Sequence, residues 1–164
     1  MPRNMRRFKQ ALSEEECRHI LERGITGILT VHGEEGYPYP VPINYVLIDD
    51  TIYMHSAVTG HKIDAITANP KAAFCVIDAD EVVPETYSTD YRSVIAFGQA
   101  RLVEDEAEKM SSLRALGDKY NPGDEVGLQR EIDTGYAHVA MIAFEIEHMT
   151  GKEGLRLSRL RQQQ

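Results

Sequence analysis

Residues 36–76 read GYPYPVPINYVLIDDTIYMHSAVTGHKIDAITANPKAAFCV, and the order of elements in this stretch decides the fold. Runs rich in β-branched and aromatic residues predict strands over 41–47, 51–55 and 73–77, the first two separated by an Asp49-Asp50 turn. Pro40 and Pro42 cannot donate to a ladder, so their strand reads as an edge or carries a bulge. Between the second and third strands lies one short helix. Thr59 or Gly60 caps it, Ile63 and Ile66 supply its buried side, and Asn69-Pro70 stops it. The strand-to-helix corner gathers His55, Ser56, Thr59, His61 and Lys62. Basic residues in a first helical turn oppose the helix dipole by about 0.3–1 kcal/mol unless an anion sits there. Helix-start amides, the Ser56 hydroxyl and the Lys62 ammonium suit a phosphoryl group without a glycine-rich loop. The same residues also read as an ordinary capped helix with solvated basic side chains, partly balanced by Asp64.

Working outward, further strands are predicted over 25–31, 92–103 and 138–148, each of the last two longer than the usual five or six residues. Long strands bend around barrels, and Gly98 in mid-strand reads as a bulge or kink. The expected fold is therefore mainly β: a six-stranded antiparallel β-barrel with peripheral helices. Its interior would be filled by Ile28, Val41, Ile43, Phe74, Val76, Ile95 and Ile142. A flat ligand must then bind outside, in a cleft on the wall or where two barrels meet. Ser13 followed by three glutamates is a capping-box start for a helix over about 13–23, and helical patterns recur at 104–117 and 124–132. One domain over 1–164 is expected, with a flexible basic tail over about 155–164.

At 164 residues a single domain buries about two-thirds of its unfolded surface, enough for a core. A formal net charge of −8 argues against a general nucleic-acid binder, because phosphate backbones reward basic stripes. The basic residues at the ends, Arg3, Arg6, Arg7 and Lys9, then Arg156, Arg159 and Arg161, read as solvated. No apolar run approaches the roughly 20 residues that span a bilayer. The basic opening MPRNMRRFKQ leads into acidic residues rather than an apolar core segment, which predicts no secretory signal and a cytoplasmic location. Cys17 and Cys75 are too few for a four-thiolate zinc site. There is no nucleophile elbow, Walker A loop or HExxH pair, and no side chain is assigned a catalytic role.

Three blocks in order, residues 36–76, then YRSVIAFGQARLVED, then EIEHMTGKEG, resemble the pyridoxamine 5′-phosphate oxidase-like flavoproteins with a split-barrel fold, nearest to the branch of 5-nitroimidazole resistance proteins. The resemblance implies a homodimer holding two FMN molecules in clefts at the subunit interface. Matched by position, Val41, Pro42, Ile43 and Asn44 would run along the isoalloxazine ring. His55, Ser56 and Lys62 would form the phosphate site, and Tyr91, Arg92 and Ser93 would meet the phosphate, ribityl chain or ring edge. The partner subunit would contribute Met149, Thr150, Gly151 and Lys152. Each group has a plain reading too: residues 41–44 as an edge strand, Arg92 paired with Asp90 or Glu85, and residues 149–152 as a strand-ending turn.

With FMN bound, the redox chemistry belongs to the flavin and the protein binds and tunes it. The implied activity is reduction of a small, flat, electron-poor compound such as a 5-nitroimidazole, with pyridoxamine 5′-phosphate oxidation as a neighbouring option. A deazaflavin would need a basic groove that a chain of this charge offers little to build. A reading of a different class is a non-catalytic protein that sequesters flavin or haem, with His55, His61 or His148 as an axial ligand.

Overall fold

The structure, a computed structural model, describes residues 8–163. Arg3, Arg6 and Arg7 lie outside the described residues. Seven strands form one sheet: β1 (Thr26–His32), β2 (Pro38–Asn44), β3 (Val46–Ile48), β4 (Thr51–Ala57), β5 (Lys71–Val83), β6 (Ser88–Leu102) and β7 (Val139–Glu153). Their order is β2-β1-β5-β6-β7-β4-β3, and every pairing is antiparallel. The two edge strands, β2 and β3, are consecutive in the chain and joined through Tyr45 alone. One residue cannot span an open sheet, so the sheet curls until its edges meet. This is a barrel split along one seam, as expected in class.

The strand count corrects the expectation of six, because Tyr45 divides the run predicted over 41–47. Its ring is fully buried and its hydroxyl donates to the Leu21 carbonyl at 2.6 Å. Its backbone groups go to side chains instead of a ladder. The N–H donates to the Tyr120 hydroxyl at 3.1 Å, and the carbonyl accepts from Lys119 Nζ at 3.0 Å. Both partners lie at the end of a distant helix, which no local pattern near residue 45 could disclose.

Leu29, Ile52, Met54, Phe74, Val76, Val94, Ile142 and Phe144 fill the interior. Ile28, Val41 and Ile43 are only half-buried, and Ile95 is 39% exposed on the outer face, contrary to the expected core. Period-two alternation explains Ile95, since its neighbours Val94 and Ala96 take the inward positions. The bulge anticipated at Gly98 is present: the β6–β7 register slips between Phe97 and Gly98.

Helix α1 (Glu14–Arg23) has the capping box formed by Ser13 and Glu16, and it buries Cys17, Ile20 and Leu21 on the barrel. Helix α2 (His61–Ala68) follows β4, while α3 (Glu106–Tyr120) and α4 (Glu125–Gly135) lie between β6 and β7. Helix α5 (Leu155–Arg161) replaces the expected flexible tail. Ion pairs hold it: Arg161 Nε donates to the buried Glu153 at 2.7 Å and its Nη1 lies 2.8 Å from Glu16, while Arg156 pairs with Asp90. No helix among the described residues is long and apolar enough to cross a membrane.

A second bulge, between Ile77 and Ala79 in β5, aims Asp78 at α1. Arg23 grips Asp78 with two bonds of 2.8 and 2.7 Å, and Arg92 reaches it at 3.3 Å while also donating to Glu153 at 3.1 Å. Burial pushes the Asp78 pKa up, but hydrogen bonds and charges from Arg23 and Arg92 outweigh it and hold the carboxyl below its ordinary 3.8. A depressed folded pKa gives stability that is complete above the unfolded value and is lost as pH falls through the lower folded one. Asp78→Asn is expected to cost about 1–3 kcal/mol at pH 7. In urea melts that difference should shrink as pH drops below 3.8; a gap that stays constant down to pH 2 would contradict the ion-pair account.

Candidate functional site

The chain leaves β4 at Ala57 and enters α2 at His61 through Gly60, whose φ of +129° is a conformation that L side chains rarely adopt. A Cβ at Gly60 would meet nothing within 4 Å, and no side chain caps the helix. Gly60's carbonyl accepts from the Ile63 and Asp64 amides at 2.9 and 3.1 Å. The His61 and Lys62 amides head the helix without an intrahelical acceptor. Lys62 is half-buried, and its ammonium has no hydrogen-bond or ion-pair partner among the described residues. Burial lowers its pKa. An unpaired, partly desolvated ammonium at an open helix start is unfavourable alone and is relieved by an anion.

These groups face a cleft of about 350 Å³ lined by Tyr39, His55, Ser56, Thr59, His61 and Lys62 among others. His61 forms one wall. Its ring stacks on Tyr39 with centroids 4.3 Å apart and planes 5° from parallel, and its Nε2 accepts from the Glu34 amide at 3.4 Å. His61 belongs to the corner read from sequence, whereas Tyr39 does not. The adjacency of His61 to Lys62 was visible, but Tyr39 arrives from across the seam, where β2 approaches the start of α2. On the other side of His55 opens a larger cavity of about 770 Å³, bounded by α3, α4, the end of β2 at Asn44 and the start of β7 at Val139.

The sequence-derived residues fall into three places. His55, Ser56 and Lys62 share the cleft, and Asn44 lies beyond His55 in the adjoining cavity. Pro42, Ser93, Thr150 and Lys152 occupy the outer face of the sheet, with Lys152 Nζ 5.3 Å from the centre of the Tyr91 ring. The others turn away from both. Val41 and Ile43 lie on the inner side of β2, and Met149 packs against the core. Arg92 is taken by Asp78 and Glu153, and not by the Asp90 or Glu85 that adjacency suggested.

Gly151 is buried beneath α1. A Cβ there would lie 2.4 Å from Cys17 Sγ and 2.9 Å from Leu12, so its glycine is explained by the close approach of α1. Gly151→Ala is expected to destabilise the fold by about 1–3 kcal/mol through overpacking. A thermal midpoint equal to that of the parent chain would show that the contact yields freely.

The outer face carries an apolar patch that cross-strand register aligns into rows. Pro42, Ile28, Cys75, Ile95 and Thr150 form one row, and Pro40, Thr30, Ala73, Phe97 and His148 form the next. Ile77, Ile95 and Phe97 remain 57%, 39% and 47% exposed.

A family model described as pyridoxamine 5′-phosphate oxidase matches residues 13–153. No curated protein sequence matches the chain. Among solved structures, a protein assigned to 5-nitroimidazole antibiotic resistance from Bacteroides thetaiotaomicron is similar with a TM-score of 0.76, at 23% identity over 87% of this chain and 86% of its own. The flavocytochrome Anf3 from Azotobacter vinelandii gives 0.78 at 22% identity, over 92% of this chain and 72% of its own. An FAD and haem binding protein from Mycobacterium smegmatis gives 0.75 at 23% identity, over 90% and 74%. At these identities what is shared is the fold.

Proposed function

The chain belongs to the pyridoxamine 5′-phosphate oxidase family, and from that premise we propose that it is an FMN-dependent oxidoreductase acting on a small electron-poor compound as a homodimer. The observation that carries the reading is the Lys62 ammonium, without a partner among the described residues, in one cleft with Ser56 at the open start of α2. The donor set fits a phosphate monoester: the Lys62 ammonium, the Ser56 and Thr59 hydroxyls and the helix-start amides border one cleft that no acidic side chain among the described residues lines. Lys62 and Ser56 would hold the phosphate, and β2 near Pro42 and Asn44 would support the ring. Bound flavin supplies the hydride and electron transfer. The chain's own residues bind, orient and shield, which agrees with the lack of a nucleophile or metal motif. The apolar rows across β2, β1, β5, β6 and β7 support a second copy as the partner, because they lie on the strands expected to border the ring.

The test is the absorption spectrum and mass of whatever co-purifies with the full chain, followed by turnover of a 5-nitroimidazole with a chemical reductant. An oxidised-flavin band near about 450 nm with the mass of FMN is expected. A sharp band near about 400 nm would replace the flavin with haem, and His55, His61 and His148 would then be tested as axial ligands. Flavin without turnover across a panel of nitro and quinone acceptors would reduce the protein to a carrier.

A further inference from the structure

We propose that the cavity enclosed by α3, α4 and the barrel wall is a binding site for an uncharged, largely apolar ring compound, the class of molecule that the flavin would reduce. The placement rests on the flavin reading; the chemistry of the occupant comes from the walls. At about 770 Å³ the cavity has the size of a small-molecule site. Leu113, Leu116, Leu128, Ile132 and Val139 make its surface mainly hydrocarbon. Gly117 sets the helix spacing, since a Cβ there would lie 2.5 Å from Leu128 Cδ1.

The two tyrosines in the wall offer rings and no spare hydroxyl. Tyr120's hydroxyl is bonded to the Ile25 carbonyl, and Tyr136's to Glu106. Polar groups are confined to two places. At the inner end are His55 and Asn44; among the described residues the His55 side chain has no partner, while Asn44 Nδ2 donates to the Ile25 carbonyl at 3.1 Å and its Oδ1 accepts no hydrogen bond. At the helical end are the carboxylates of Asp124 and Glu131 against the single guanidinium of Arg130, a balance that disfavours anions. An apolar ring with one polar edge turned to His55 and Asn44 satisfies this distribution. Because His55 lines both this cavity and the phosphate cleft, the compound would lie next to the ring-supporting end of β2.

The test titrates the full chain, with and without added FMN, with 1,4-naphthoquinone and with its 2-sulfonate, reading methyl resonances of Leu, Ile and Val. Saturable shifts at Leu113, Leu116, Leu128, Ile132 and Val139 are expected, with the neutral quinone bound at least about tenfold tighter than the sulfonate. Gly135→Leu fills the site. Gly135 has a negative φ of −106° that L residues adopt, and a Cβ there meets nothing within 4 Å, so the variant should fold and bind the quinone about tenfold more weakly. If the variant does not fold, the methyl map of the parent chain decides. Shifts confined to Ile77 and Ile95, or none, would overturn the proposal, as would equal affinity for the sulfonate. So would FAD moving the cavity methyls where FMN does not, because the cavity would then belong to the cofactor's adenosine. Quinone shifts in the cavity without any flavin binding would leave the site standing and remove the flavin reading alone.

Discussion

Lys62→Met is expected to weaken FMN binding by about 1.5–3 kcal/mol, roughly 10- to 150-fold, while raising the stability of the flavin-free chain. The two effects have opposite signs for one reason. Without an anion the ammonium is half-buried and has no partner among the described residues at the positive end of α2, so removing its charge relieves the fold. With a phosphate present the same charge forms a charge-assisted bond in a partly dry cleft. Methionine keeps the apolar stem, so lost packing does not confuse the comparison. Ser56→Ala removes a neutral hydroxyl from the same cleft and should cost about 0.5–1.5 kcal/mol. Fluorescence titration of flavin and thermal melts of the flavin-free chain read the two signs separately. A variant that is less stable and binds FMN unchanged would return Lys62 to a structural role.

The second large effect belongs to the outer face. Ile95→Glu places a carboxylate within the apolar row running from Pro42 to Thr150, where a second copy packed on that face would desolvate it. The dissociation constant of the proposed dimer should rise at least about a hundredfold, which is about 3 kcal/mol. Flavin affinity should fall with it, because the partner is expected to complete the cleft. The monomer itself should lose about 1 kcal/mol or less, since Ile95 is 39% exposed in the single chain. Light scattering and flavin titration on the same sample test both halves. A dimer that persists, or a monomer that keeps full flavin affinity, would contradict the interface.

How far the sequence could be read follows from the range of the interactions. The capping box at Ser13 and the α2 corner were legible because each is decided by neighbours a few residues away, and the bulge because a glycine inside a long strand marks one, although its partner strand lies far along the chain. The edge position of β2 was legible from two prolines. The seam at Tyr45 was not, because Lys119 and Tyr120 take up its backbone groups from more than seventy positions along the chain. Helix α5 was hidden for the same reason, since its Arg156 and Arg161 are satisfied by Glu16, Asp90 and Glu153 from three other elements. At the candidate site, residue types at the corner singled out His55, Ser56 and Lys62, and the structure lines all three along one cleft. Alternation then removes some neighbours: Arg92 turns to Asp78 and Glu153 while Ser93, adjacent in sequence, faces outward opposite Lys152. Tyr39 needed the curl of the sheet to bring it to His61.

Everything in the functional reading depends on a phosphate being held at the start of α2. The direct measurement is the affinity of the flavin-free chain for riboflavin against FMN, two ligands that differ by that phosphate alone. FMN is expected to bind at least about a hundredfold more tightly, the sum of an ammonium bond and one or more weaker ones. Equal affinities would mean that the ring binds without the corner, and the assignment of Lys62, Ser56 and the α2 amides would be wrong.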